Sequence, residues 1–363
     1  MAKCLLCLSA EADFKGSHIV PLMLFHTLAT KGSKSSKDAR NNELTFSLST
    51  HKFASSYLGR DKIKPEVTNE LYGKEWTEEL DKKNQNQFVR DFIFCSNCEK
   101  RLSIIENSFS EDALKKIKTY SSNTENNNSL LLNRQEEIIV LFFYSVLWRM
   151  SVTGLNNFKL PETAEENLRV ILNAILSSQN ATFLEKIQTE KTLLKSHPIQ
   201  INILERNKES DVPYVVFSST NNFAPYCLII NEFVVFYYNK IKSINAPKPV
   251  FFNLEKYISK DKLYYKSQPL IISKIGENDY INAAKKILDI HTVGIIQLIA
   301  IKITEIYKRL ISNEPNEAII RKCLEHVTSG DFRADKFEID EISSKMTEFF
   351  MATFVSKDDN KSI

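Results

Sequence analysis

Glycine and proline are scarce in this chain, 8 and 10 residues among 363. Few tight turns and few breakers favour long helices over a turn-dense β architecture. Cysteine is sparse as well, at six, which argues against a disulfide framework in a chain this long. No apolar run reaches the ~20 residues that a bilayer-spanning helix needs. The longest, Ile138 to Trp148, is closed by Glu137 and Arg149. The opening Met-Ala-Lys-Cys has no apolar signal region. The expected compartment is therefore the reducing cytoplasm, with thiolates free for metal and no membrane partner. A strong charge of one sign is missing too. Lys and Arg number 48 against 45 Asp and Glu, a net charge of +3. That balance does not announce nucleic acid without local clustering. Residues 131–363 hold no Gly-x-Gly-x-x-Gly and no phosphate-binding loop, and no internal repeat stands out. The length suits two or three domains.

Against this background two Cys-x-x-Cys knuckles stand out, Cys4-Leu-Leu-Cys7 and Cys95-Ser-Asn-Cys98. Each knuckle can place two sulfurs on one cation, so the pair suits a tetrahedral structural zinc ion. A redox pair is the competing reading, but neither knuckle has the βαβ context that a redox motif needs. Cys227, in an apolar strand, and Cys323, in a helix, are expected to be buried.

Taken in order, Ile19-Val20 reads as a short strand stopped by Pro21, and Leu22–Leu28 as a short helix. Residues 30–43 form a polar loop made basic by Lys31, Lys34, Lys37 and Arg40. It is a solvated loop or an arm that follows a phosphate backbone. An insertion (30–90) separates the knuckles, with a strand at 44–48 and Trp76 as an anchor. Phe88–Phe94 reads as a strand delivering Cys95. Glu99–Phe109 reads as a helix, because Leu102, Ile105 and Phe109 share one face. Strand, knuckle and helix in that order are what a treble-clef finger requires. There the second cysteine pair sits at the helix start, where the helix dipole favours thiolate.

Residues 119–130 are polar and of low complexity, the best linker candidate. Helices are expected over 133–152 and 164–178, continuing less surely to 194. Residues 212–239 are rich in Val, Ile, Phe and Tyr and read as three strands of a small antiparallel sheet, with an edge strand at 263–272. Their aromatics either fill the core or stack on bases. Helical patterns return at 281–289, 291–311, 314–326 and 340–355, before a polar tail.

Ser17-His18-Ile19-Val20-Pro21, set between the knuckles, gives residues 1 to about 110 a further meaning. This stretch resembles the HNH endonuclease family in its zinc-supported form. The resemblance implies that Cys4, Cys7, Cys95 and Cys98 hold structural zinc, and that His18 is the general base that deprotonates water. It also implies a divalent ion, Mg²⁺ or Mn²⁺, stabilising the scissile phosphate. Ser17 stands where the family has an acidic residue or histidine. Glu99 stands where it has His or Asn, and a carboxylate there offers oxygen to a hard cation. Glu106 lies two helical turns further on the same face and is the second candidate ligand.

The expectation is thus an α+β protein. An N-terminal HNH-like treble-clef domain (1–118) precedes the linker and a larger, mostly helical domain (131–363) with a small sheet at about 212–272. The expected function is a metal-dependent endonuclease acting on nucleic acid, with DNA the expected substrate. Stand-alone chains with such a head resemble effectors of bacterial antiviral defence. The C-terminal domain would engage a protein partner. The alternative is a catalytically degenerate, zinc-stapled module that binds nucleic acid or protein without cutting.

Overall fold

The computed structural model describes residues 2–24, 44–50, 52–58, 88–122, 130–131, 135–176, 185, 187, 190–205, 216–218, 223–248, 250–328 and 339–355. The first strand, β1 (Ser17–His18), is followed by a 3-10 turn (Leu22–Leu24). The paired strands β2 (Leu44–Thr50) and β3 (Lys52–Leu58) come next. Strand β4 (Val89–Arg90) then pairs antiparallel with β1, setting Ser17 opposite Arg90 and His18 opposite Val89. The β1 pairing lies two residues before the expected strand at Ile19-Val20.

Helix α1 (Ser96–Ser108) runs through a π-helical turn (Phe109–Leu114) into α2 (Lys115–Ser122). The short strand β5 (Leu130–Leu131) leads to α3 (Glu136–Thr153) and α4 (Glu162–Leu176). A helical turn, α5 (Lys191–Leu194), precedes β6 (Ile199–Leu204), β7 (Val216–Ser218), β8 (Tyr226–Ile230), β9 (Phe233–Tyr237) and β10 (Ile271–Ile275). The chain ends in α6 (Glu277–Ile311), α7 (Glu317–Val327) and α8 (Ile339–Phe350).

Helix α3 is apolar all round, and every residue from Glu136 to Ser151 is buried. A helix without a polar face belongs inside. It stops at Gly154, whose left-handed backbone (φ 66°) lets its N–H reach the carbonyls of Met150 and Ser151. Glycine adopts that conformation without a Cβ clash.

The expected small antiparallel sheet is larger and mixed. Its six strands run β5-β10-β6-β9-β8-β7, and β10 lies parallel to β6 while the other pairs are antiparallel. Strands β6, β8 and β9 are buried along their whole length. Both faces are covered, so β8 and β9 run apolar without alternation.

The chain divides into two compact units, one of Met1–Ser49 and Ser55–Lys285, the other of Thr50–Ala54 and Lys286–Ile363. The boundary expected at 119–130 falls inside the first unit. There, a single apolar cluster runs from Cys4, Ile19 and Phe94 through α1 and α3 to the sheet. In the second unit, Ile299, Ile303 and Tyr307 of α6 pack with Cys323 of α7 and with Met346 and Phe350 of α8. No helix among the described residues is long and apolar enough to cross a membrane. The predicted anchor Trp76 and the 356–363 tail lie outside the described residues.

Phe109 joins α1 to this core. Its ring stacks on Phe142 of α3 at 3.8 Å between centroids, with 4° between the planes, and it is fully buried. Phe109→Ala should lower stability by about 3–5 kcal/mol, as expected for an aromatic removed from a core that collapses only partly. Urea unfolding followed by tryptophan fluorescence measures it. A loss below about 1 kcal/mol, the size of a surface substitution, would mean that the stack does not join the two helices.

Candidate metal centre

The first knuckle is a loop closed on its own backbone. The Cys4 N–H donates to Ala10 O (2.8 Å) and the Leu8 N–H to Cys4 O (2.9 Å). The second knuckle forms the start of α1. Cys95 is its N-cap in extended conformation (φ −81°, ψ 156°), and the Cys98 N–H donates to Cys95 Sγ at 3.4 Å. Asp13 strengthens the same helix start, since its Oδ1 accepts from the Ser96 N–H (2.6 Å) and Oγ–H (3.2 Å). A carboxylate at a helix N-terminus satisfies exposed donors and meets the positive end of the dipole. Backbone bonds hold the knuckles side by side. The Leu5 N–H donates to Ile93 O (3.0 Å), Phe14 N–H to Phe94 O (3.1 Å) and Phe92 N–H to Phe14 O (2.8 Å).

The four sulfurs of Cys4, Cys7, Cys95 and Cys98 thereby lie within 4.8 Å of one another. Cys7 and Cys95 are 4.0 Å apart. A tetrahedral zinc ion with Zn–S bonds of about 2.3 Å needs sulfurs about 3.8 Å apart, so the cage is close to the right size. None of the four is in a disulfide; Cys4, Cys95 and Cys98 are buried and Cys7 half-buried. The contact with Cys98 pulls the Cys4 thiol down to about 4, and the same contact pushes Cys98 up. Crowded sulfurs that oppose each other's ionisation suit a cation, which favours thiolate at all of them. The donor set fits zinc, and the cysteines expected to hold it are brought together. No other group of three or more His, Cys, Asp or Glu ligands forms among the described residues. The remaining cysteines, Cys227 and Cys323, are buried and do not belong to this group of four, and burial pushes the Cys323 thiol up to about 12.

Three arginines connect this head to the helices behind it. Arg101 on α1 donates to Cys98 Sγ (3.4 Å) and to both oxygens of Asn173 on α4, the backbone carbonyl (3.0 Å) and Oδ1 (2.8 Å). Arg169 on α4 donates to Leu6 O in the first knuckle (2.9 Å) and is gripped at two points by Glu166 (2.6 and 2.7 Å). Arg149 on α3 donates from Nη1 to His18 O (2.8 Å) and to Glu106 Oε1 (2.7 Å). The sequence signal for Arg149 was an arginine closing an otherwise apolar run. A charge in that position has to find partners. Asn173, Arg101 and Arg169 carried no such signal.

The candidate catalytic residues are placed differently from one another. His18 lies on β1, half-buried, with its Nε2 atom enclosed. The adjacent Ser17 is fully buried and donates from Oγ to Glu99 Oε2 at 3.1 Å. Desolvation raises the Glu99 carboxyl above its ordinary value, against the pull of Arg149. Glu106, the other candidate oxygen ligand, has an ion-pair partner. Its carboxylate is neutralised by Arg149, whose side chain is only 1% exposed. A buried guanidinium thus supplies a cation at Glu106, and the Glu106 charge also bears on Glu99, adding to the rise of its carboxyl. Lys31, Lys34, Lys37 and Arg40 lie outside the described residues.

Comparison of the chain with protein-family models, with curated proteins and with solved structures finds no match.

The purified chain should carry about one zinc ion, the stoichiometry of a four-thiolate site. Cys98→Ser should lose most of that metal and melt earlier and less cooperatively, because metal binding and folding are linked. Elemental analysis with a thermal melt checks both. Metal-free wild-type protein that melts like the zinc-loaded form would refute the site.

Proposed function

We propose that the chain is an HNH-like endonuclease whose treble-clef head, stapled by zinc on Cys4, Cys7, Cys95 and Cys98, cleaves phosphodiester bonds in DNA. The observation that carries this reading is the Ser17–Glu99 hydrogen bond of 3.1 Å. It ties the strand bearing His18 to the first turn of the helix that the second knuckle starts. A histidine and a desolvated carboxylate, sequence neighbours of the two bonded residues or members of that bond, are thus anchored at one junction beside a metal staple. A carboxylate raised by desolvation, as Glu99 is, marks functional sites more often than chance.

In the proposed step the His18 imidazole accepts a proton from water as the water oxygen bonds to phosphorus and the bond to the leaving oxygen breaks. Glu99 holds the strand in place through Ser17. Structural zinc takes no part in that step; it fixes the knuckles. The second unit would engage a protein partner. Val293, Ile296, Leu298 and Ile301 of α6 are exposed, and exposed apolar surface of this kind favours such contacts.

A second reading has its own support. The Glu106–Arg149 pair favours a degenerate head that binds nucleic acid or protein without cutting.

Plasmid nicking with Mg²⁺ or Mn²⁺ separates the two. Wild type should nick, and His18→Ala should be slower by about 10²–10⁴-fold, the usual worth of a general base, with zinc content unchanged. Equal nicking by both proteins, or none by wild type, would remove the nuclease. Retained DNA binding in a gel shift would then leave the binding module.

A further inference from the structure

We infer that Arg149, a residue of the core helix outside the head, is the positioning residue for His18. The inference deepens the reading of His18 given above. Arg149 projects from α3, which is buried on every side. All of its recorded donors are used at close range. Nε donates to Ser145 O (3.2 Å), Nη2 to Ser145 Oγ (3.1 Å), and Nη1 to both His18 O (2.8 Å) and Glu106 Oε1 (2.7 Å). The group is thus braced on its own helix at one side and spans β1 and α1 at the other. Packing alone would be met by an apolar side chain of similar volume, which is often as stable as a buried ion pair or more so. What the guanidinium adds is direction, because its donors lie in one rigid plane.

That direction matters because β1 is only two residues long. A two-residue ladder, even with the Ile19 N–H bonded to Phe88 O (2.8 Å), leaves the backbone after His18 weakly held. Arg149 grips the His18 carbonyl from the core side, while Ser17, one residue earlier, is tied to Glu99. These two anchors on consecutive residues set the orientation of the imidazole relative to α1. Glu106 balances the charge that makes the first anchor tolerable.

Zinc-loaded, full-length protein labelled with ¹³C at histidine tests this. The chain has six histidines, and the His18 ring signal is assigned by its loss in His18→Gln. Arg149→Met should move that signal and lower the melting temperature by stranding the Glu106 carboxylate. Arg149→Met/Glu106→Gln should recover part of the melting temperature, since the Glu106 carboxylate is no longer stranded, while Glu99 still lacks the pull of Arg149. It should keep the displaced His18 signal and nick at least about 10-fold more slowly than wild type, as misplaced reacting groups do. Arg149→Lys should fall between, because an ammonium cannot span the same acceptors. Glu106→Gln, which leaves the bond to His18 O in place, should keep the wild-type signal. A double variant with wild-type His18 signal and nicking would overturn the inference and make Arg149 structural only. So would a Glu106→Gln signal displaced as far as that of Arg149→Lys. If wild-type protein does not nick at all, the nuclease reading fails, while the His18 signal still decides the positioning role.

Discussion

Four thiols held within 4.8 Å of one another impose an electrostatic constraint on the N-terminal part of this protein. Four thiolates at that spacing repel, and four neutral thiols forgo the charge that the helix N-terminus and Arg101 would stabilise. A divalent cation resolves both problems. Its weight would be structural, because the two knuckles come from distant parts of the sequence, Cys4–Cys7 and Cys95–Cys98. Whatever holds the sulfurs together also holds β1 against α1, and with it every candidate catalytic group. The four-cysteine cluster, the short β1–β4 ladder and the Ser17–Glu99 bond are one mechanical unit.

The same reasoning explains which parts of the molecule were legible in the sequence. The knuckles were, because ligand spacing is local and chemically narrow. Helix α3 was, because eleven consecutive residues without a charge leave a soluble chain few alternatives. The antiparallel trio β7-β8-β9 was also legible, since its β-branched and aromatic runs are interrupted at Asn231-Glu232, and Asn231 adopts the left-handed backbone (φ 51°) that a tight turn favours.

Other features needed the third dimension. Strand β6 is polar at Gln200 and Asn202, residues that look unsuited to a core. There they satisfy one another, with Gln200 Nε2 donating to Asn202 Oδ1 (2.9 Å) and Ser273 Oγ to the same oxygen (2.9 Å). The parallel β6–β10 pair depends on a connection of more than sixty residues, which no local pattern announces. Helix α6 is one helix and not two; the expected break near residue 290 is absent because nothing there is a strong breaker. The ion pair at Glu106 was hidden for a similar reason. Helical spacing places Glu106 on the face of Glu99, but only the fold reveals that Arg149, forty-three residues later, has claimed it.

The arginine latches have a consequence for how the protein can be taken apart. Arg149 and Arg169 reach the head from α3 and α4, and Leu102, Ile105 and Phe109 of α1 share their apolar cluster with α3. Cut after residue 118, the finger would present that seam to water and lose two of its backbone anchors. It is not a portable cassette. The smallest fragment that retains all of these contacts must run through α4, to Leu176.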